Sequence, residues 1–283
     1  MSENLFPRTT VEGVSLPRML IGTNWFVGCS HKSAAIDKLI VDTTKKPHVI
    51  CDIVSTFVER GVDAILGGFV GSTELNEGIK MAEDRTGKKL IKIDTPFFGV
   101  EDSSSGRKEA REAIKKSRQA GATFCLPHHS VVEQLVNKHK QTIDRLPDYL
   151  EMIRDEGMIP GVSAHMPELL VYSDKNEYDV QTYIQLYNCL GYLMQIEVEF
   201  VHKRIQNARK PVMTIKPMAA GRVTPFIGLN FVWNTIRECD MVTVGTMTKE
   251  EAAELVEISL AAIERRAPDI EGRSSPNKTS IMA

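Results

Sequence analysis

The chain has 283 residues, of which 42% are hydrophobic and 25% are charged, a balance typical of an ordinary globular protein. A formal net charge of -2 gives no reason to expect a nucleic acid or an anionic membrane as a partner, so a small-molecule substrate is expected. We see no signal-peptide pattern and no apolar stretch near the ~18 residues that a membrane span needs. Five cysteines without a metal-binding spacing predict reduced thiols and a cytoplasmic location.

Short apolar runs alternate with longer amphipathic segments along the whole chain. Strands are predicted at 18–24, 63–68, 89–96, 122–129, 158–165, 179–188, 211–218 and 241–247. Such regular alternation favours a parallel sheet, and eight repeats in this length favour a single (β/α)8 TIM barrel over an open sheet. We expect one α/β barrel domain over 1–283, with flexible ends at about 1–15 and 267–283.

In such barrels the active site lies at the carboxyl ends of the strands. These ends are unusually polar here, and they predict catalytic roles for Asp94, His128, His129, His165 and Lys216. Neighbouring residues of a strand point to opposite faces. We therefore expect one residue of the His128–His129 pair to face the pocket and the other to support it from behind.

Other residues near the strand ends are candidates for binding the substrate. The loop after the first strand contains Asn24, Trp25 and His31, which could form an aromatic wall beside a polar contact. The alternative is that the aromatic residues only cover the mouth of the barrel. Asn188 and Arg222 follow later strands and are predicted to contact the substrate as well.

The segment after the last strand suggests an anion site. The strand ends at Gly245, and Thr248 lies three residues before Glu251, which is the spacing of a capping box. A helix N-terminus presents free backbone N–H groups to an anion, so Gly245, Thr246 and Thr248 are predicted to contact a phosphate. It is equally consistent with the sequence that the box only caps the helix.

Several segments resemble those of the aldo-keto reductases. They are "GMIPGVSAHMPELL", "DVQTYIQLYNCLG", "TIKPMAAGRV", "VGTMTKEEAAELVE" and "FVERGVDAILGGFVGSTELNEGI". The resemblance covers roughly residues 18–262 and implies a (β/α)8 barrel. It also implies reduction of carbonyl compounds by NADP(H), with a tyrosine as proton donor and an aspartate, a lysine and a histidine around it.

Most of that catalytic set is missing here. The family's aspartate position falls on Leu66, its tyrosine position falls in a gap at 70–71, and its lysine position falls near 93–94. The histidine position is matched by the His128–His129 pair, and Asn188 matches a family residue that contacts the nicotinamide. A carbonyl reductase needs a general acid as the hydride arrives, so we expect an inherited scaffold with replaced chemistry.

We therefore expect an enzyme of the isomerase, epimerase, lyase or hydrolase type that acts on a small polar carbonyl or sugar-like substrate by acid–base chemistry. Asp94, His128 and His165 could converge on a divalent metal, since one carboxylate and two imidazoles suit zinc, manganese or iron. A metal-free version would use Lys216 and His128 around an enolisable carbonyl, or a Lys216 Schiff base.

Two alternatives from other classes stay open at this point. One is an NADP(H)-dependent oxidoreductase with a rebuilt proton donor, although NADP is the less favoured cofactor. The other is a non-catalytic barrel that binds a ligand. The sequence leaves the oligomeric state and the identity of the substrate open.

Overall fold

The computed structural model of the chain describes residues 5–270; the predicted flexible tail therefore lies mostly outside the described residues, at 271–283. The strands are β1 (Arg8–Val11), β2 (Val14–Pro17), β3 (Met19–Gly22), β4 (Ala64–Gly67), β5 (Ile91–Asp94), β6 (Ala122–Cys125), β7 (Val136–Asn137), β8 (Thr142–Ile143), β9 (Ile159–Pro160), β10 (Val162–Ala164), β11 (Tyr183–Leu186), β12 (Val212–Ile215) and β13 (Met241–Val244). The helices are α1 (Asn24–Val27), α2 (Ala34–Thr43), α3 (Pro47–Glu59), α4 (Thr73–Thr86), α5 (Ser104–Gln119), α6 (His129–Val132), α7 (Leu146–Asp155), α8 (Glu168–Lys175), α9 (Val198–Asn207), α10 (Pro225–Thr235) and α11 (Lys249–Glu264), with a 3-10 helix at Glu133–Leu135.

Over the described residues, nine parallel strand segments follow the order β10–β11–β12–β13–β3–β4–β5–β6–β9. The segments β9 and β10 are two halves of one strand, broken at Gly161. The Gly161 amide donates to the Cys125 carbonyl at 3.2 Å, and the Val162 amide donates to the Thr182 carbonyl at 3.3 Å. A Cβ at Gly161 would lie 2.6 Å from the Thr182 carbonyl oxygen, so a side chain does not fit there. The predicted (β/α)8 barrel fold is confirmed, with its fifth strand broken.

The inside of the barrel is filled by apolar side chains such as Leu20 and Phe124. The hairpin formed by β1 and β2 lies against the same cluster, and its Val11 and Leu16 are buried there. The expectation that residues 1–15 form a solvated end is therefore wrong for their described part. The hairpin removes apolar surface from water at the amino end of the barrel, and this burial holds it in place.

The helices form the outer layer around the strands. Helix α3 shows the pattern, because its Ile50, Ile53, Val54 and Phe57 are buried while Glu59 at its carboxyl end is exposed. Such an apolar stripe faces the sheet and leaves the other side to solvent. Between residues 5 and 270, no helix has both the length and the apolar character required to cross a lipid bilayer.

Strand β6 ends earlier than the sequence predicted, and this shift shapes the candidate site. The strand stops at Cys125, whereas the prediction extended it to residue 129. Pro127 has no N–H to donate to a neighbouring strand. His128 then caps helix α6, because its Nδ1 accepts a hydrogen bond from the Ser130 amide at 3.3 Å. The chain therefore changes from strand to helix at the two histidines.

Loss of the hairpin's contact with the barrel interior should destabilise the whole protein. We expect Leu16→Ala to lower the free energy of unfolding by about 2–5 kcal/mol, because it leaves a cavity in a packed core. The measurement is urea denaturation followed by circular dichroism. Thr10→Ala, at an exposed position of the same hairpin, is the control and should change it by less than about 0.5 kcal/mol. Equal effects of the two substitutions would contradict the role given to the hairpin.

Candidate functional site

A cavity of about 1280 Å³ opens at the carboxyl ends of the barrel strands. Its walls come from the loops after β3, β4, β5, β6, β10, β12 and β13, which is where barrels of this kind build their sites. Most of the residues predicted from the sequence border it: Asn24, Trp25, His31, Asp94, His128, His129, His165, Lys216, Arg222, Gly245 and Thr246.

Four aromatic rings form a continuous stack along one wall. The ring centroids lie 4.0 Å apart for Phe97 and His128, 4.2 Å apart for His128 and His129, and 3.8 Å apart for His129 and His165. Both members of the His128–His129 pair border the cavity. The expectation that one of them faces away is wrong, because α6 begins at His129 and the alternation of a strand no longer applies.

Glu133, which the sequence reasoning missed, holds this histidine stack in place. Its Oε1 accepts hydrogen bonds from the His165 amide at 2.6 Å and from the Met166 amide at 2.9 Å. Its Oε2 lies 3.5 Å from Nδ1 of His129, one helical turn before it. Burial alone would raise the pKa of Glu133, but the nearby His129 and the hydrogen bonds from the two amides outweigh it and lower the pKa. The i,i+4 spacing of His129 and Glu133 was the available sequence signal.

The imidazoles of His128 and His165, on either side of His129, are neutral at pH 7. Burial is the main reason that the pKa of His128 falls to about 4 and that of His165 to about 3, and the proximity of His129 and Lys216 lowers both further. Nδ1 of His128 accepts the Ser130 amide, so its neutral ring has the hydrogen on Nε2. Nε2 of His128 is therefore the nitrogen that can donate a hydrogen bond.

Lys216 follows β12 with a backbone φ of 59°, a left-handed conformation that is rare for residues other than glycine. Strained backbone of this kind is concentrated at functional sites. Burial lowers the pKa of its amine. Over residues 5–270, no carboxylate lies within 4.0 Å of this amine. Lys216 is therefore a half-buried amine that borders the cavity without an ion-pair partner.

The loop after β3 joins the loops after β11 and β12 at the mouth of the cavity. His31 and Asn24 share a hydrogen bond of 3.1 Å. The hydroxyl of Tyr192 donates to the His31 carbonyl at 2.9 Å, and the guanidinium of Arg222 lies 3.9 Å from the centre of the Tyr192 ring. A Cβ at Gly245 would lie 3.0 Å from the Trp25 ring. Trp25 therefore packs closely against the backbone after β13.

Asp94 borders the cavity but does not join the histidines. Its Oδ1 accepts a hydrogen bond from the Phe69 amide at 3.1 Å, which turns the carboxylate toward the loop after β4. Burial raises the pKa of this carboxyl group. The metal site predicted from Asp94, His128 and His165 is therefore wrong in its ligand set. The one cluster of metal-ligand atoms within 4.8 Å of one another in the described chain is His129, Glu133 and His165.

Two predicted binding residues lie outside the cavity lining. Asn188 is fully buried; its side chain donates to the Tyr192 carbonyl and accepts the amides of Leu190 and Tyr192. Its predicted contact with the substrate is wrong, because these bonds use the side chain to shape the loop after β11. Thr248 caps α11 by accepting the Glu251 amide at 3.1 Å, so the capping-box alternative is the correct one.

The predicted phosphate site is filled by a protein side chain. The carboxylate of Glu251 accepts hydrogen bonds from the Thr246 hydroxyl at 2.7 Å and from the Met247 amide at 2.8 Å. The negative charge of Glu251 would also repel an anion at this position. The phosphate prediction for Gly245, Thr246 and Thr248 is therefore wrong.

The structure bears on the positions where the sequence lacks the catalytic residues of the reductases. Leu66 borders the cavity at the position of the family's aspartate, and no tyrosine is among the described residues that line the cavity. Lys92 donates to the Ala120 carbonyl at 3.0 Å and is not part of the lining.

The sequence matches neither a model of a known protein family nor a curated protein. Two solved structures of a "putative aldo-keto reductase" from Pseudomonas aeruginosa have a TM-score of 0.64 and 12% identity, and the match covers 90% of this chain and 95% or 96% of theirs. Aldose reductase from Giardia lamblia has a TM-score of 0.54 and 13% identity, covering 95% of this chain and 90% of that one. At such identities the likeness concerns the fold. The resemblance seen in the sequence is confirmed at that level: this chain has the (β/α)8 barrel of the aldo-keto reductases.

Proposed function

We propose that this chain is an enzyme for small polar carbonyl compounds in which the amine of Lys216 attacks the carbonyl carbon. The observation that supports this most is the state of Lys216 itself. Its amine is half-buried beside neutral imidazoles, has a lowered pKa and has no carboxylate within ion-pair distance in the described chain. Desolvation of this kind is a known way to activate a lysine as a nucleophile.

The chemistry starts with condensation. The nitrogen of Lys216 bonds to the carbonyl carbon, and the carbonyl oxygen leaves as water after it takes one proton from the amine and one from a neighbouring acid. His128 is suited to assist here, because it borders the cavity and its neutral ring has a hydrogen on Nε2 to donate to the developing oxyanion. The product is a cationic iminium that attracts electrons from the adjacent carbon.

The next step is proton transfer at that adjacent carbon. A neutral imidazole takes the proton, and the electron pair of the C–H bond moves toward the iminium nitrogen and gives a neutral enamine. The positive charge thus moves from nitrogen to imidazole, and the two charges never coexist. His31 and His165, whose pKa values are lowered by burial and then by nearby charge, can accept the proton at this stage. Return of the proton to another face or carbon gives an epimer or an isomer, and water then releases Lys216.

The residues around the cavity do not fit the reductase alternative. The proton-donor tyrosine is absent from the described lining, and Glu251 blocks the site predicted for a phosphate. The cavity of about 1280 Å³ is nevertheless larger than an ordinary small-molecule pocket of roughly 300–1,000 Å³.

Reduction by borohydride should trap the substrate on Lys216. Hydride adds to the iminium carbon and leaves a stable secondary amine. The test mixes the protein with dihydroxyacetone, glyceraldehyde or pyruvate and sodium borohydride, and peptide mass spectrometry then locates the adduct. We expect one dominant adduct at Lys216, which Lys216→Arg abolishes, since a guanidinium keeps the charge but cannot condense.

The matched control for trapping is Lys108→Arg, at an exposed position of α5. This variant should keep the adduct at Lys216. Adducts spread over exposed lysines, or a yield unchanged by Lys216→Arg, would contradict the proposal. Circular dichroism of each variant shows whether the fold is kept.

The pH dependence of this amine gives a second test. Only the neutral amine reacts, so a lowered pKa moves the reaction to lower pH. We expect methylation of Lys216 by formaldehyde and cyanoborohydride to reach its half-maximal rate at a lower pH than that of free Nα-acetyl-lysine. Rates are read by mass spectrometry across a pH series. Identical pH profiles would show that Lys216 is not an activated amine.

NADPH should not bind tightly, because the phosphate position is occupied by Glu251. A fluorescence titration of the purified protein with NADPH measures this directly, and we expect no saturable change. Stoichiometric binding would instead restore the reductase interpretation, with His128 as the first candidate for the proton donor.

A further inference from the structure

Beyond the chemistry of Lys216, the histidine stack contains a second candidate site. Three ligand atoms, one each from His129, Glu133 and His165, lie within 4.8 Å of one another. His129 and Glu133 are one helical turn apart, and His165 arrives from the end of β10. Parallel strands and a helix that starts above them bring these distant parts of the chain together at the same edge of the barrel.

The donor atoms of this cluster are available to a ligand. Both amide contacts of Glu133 go to its Oε1, which leaves Oε2 directed at His129. Nδ1 of His129 is buried and makes no hydrogen bond, although Oε2 of Glu133 lies 3.5 Å away. A ligand that bonds this nitrogen would satisfy a buried polar atom and would therefore stabilise the site.

The chemical class of this donor set is specific. Two imidazole nitrogens and one carboxylate oxygen suit Zn²⁺, Fe²⁺ or Mn²⁺, whereas Ca²⁺ and Mg²⁺ prefer oxygen ligands. The rings of His129 and His165 are stacked with their planes 20° apart. Rotation about the bond from Cβ to the ring is soft for histidine, so a small turn can direct both nitrogens at one point.

We infer that His129, Glu133 and His165 form a binding site for a divalent transition metal at the wall of the cavity. The two amides that bond Oε1 of Glu133 would fix the orientation of the carboxylate, which is the usual role of a second layer around a metal. His129 and His165 both border the cavity, so the coordination positions that the protein leaves open would face it. His165 is also one of the candidate proton acceptors in the chemistry proposed for Lys216, whereas His129 and Glu133 belong to the metal site alone.

The test uses the full-length protein, treated with EDTA and then freed of the chelator. Titration with Co²⁺ is followed by visible absorption and titration with Zn²⁺ by calorimetry. We expect one ion per chain. Two variants remove a ligand and keep the local structure: Glu133→Gln retains an oxygen that can accept the amides of His165 and Met166, and His129→Phe retains the ring stack.

Each of these two variants should raise the dissociation constant by at least about 10–100-fold, a loss that is typical even for residues in the second layer. The control is His139→Phe, at an exposed position between β7 and β8, which should bind the metal like the unmodified protein.

Three outcomes would overturn the inference: no binding by the unmodified protein, unchanged affinity in Glu133→Gln and His129→Phe, or an equal loss in His139→Phe. The thermal midpoint of each metal-free variant shows whether a loss reflects unfolding. Because borohydride trapping on Lys216 is measured separately on EDTA-treated protein, failure of the metal site and failure of the amine chemistry can be told apart.

Discussion

The candidate site depends on one carboxylate. Glu133 bonds the backbone after β10 through the amides of His165 and Met166, and its second oxygen faces His129. Helix α6 follows β6, and the broken fifth strand is the neighbour of β6 in the sheet, so Glu133 ties two adjacent parts of the barrel together. Without that tie, His129 and His165 would be joined only by their ring contact, which contributes about 0.5–1.5 kcal/mol.

The charge pattern of the cavity follows from burial. A buried ion is costly unless it is paired, so each half-buried group either finds a partner or becomes neutral. Glu133 has its partners and stays ionised, whereas for His128 and His165 burial outweighs the attraction of Glu133, and both lose their protons. Burial lowers the pKa of the Lys216 amine as well. Burial along the wall therefore favours the neutral form of these nitrogen atoms, which is the form that attacks a carbonyl and the form that binds a metal.

The sequence predicted the barrel well because its signals were local and repeated. Each strand is a short apolar run, and the place where it ends can be read from a few neighbouring residues. Lys216 and His165 were found in this way, since both directly follow a strand. The N-terminal hairpin was missed because its alternation is short, and only the packing of Val11 and Leu16 against the barrel shows that it belongs to the core.

The errors concern side-chain direction, which is decided by partners far away in the sequence. Asp94 is the last residue of its strand, close to the position of Lys216 after β12, but its hydrogen bond with the Phe69 amide directs it away from the histidines. The side chain of Asn188 forms hydrogen bonds within its own loop, and Glu251 occupies the position predicted for a phosphate. A strand end therefore locates a residue at the rim of the cavity, but its hydrogen bonds decide whether it is free to act.

The barrel separates the residues that stabilise the fold from the residues that line the cavity. Its stability resides in the strand interiors and in the hairpin at the amino end, and its site resides in loops at the opposite end. Leu66 at the position of a catalytic aspartate leaves the packing of β4 intact, because its side chain joins the apolar interior. Lys216 and the histidines follow different strands from β4, which carries Leu66. A site built at the ends of β6, β10 and β12 is therefore separate from the strand interiors and the hairpin that stabilise the barrel.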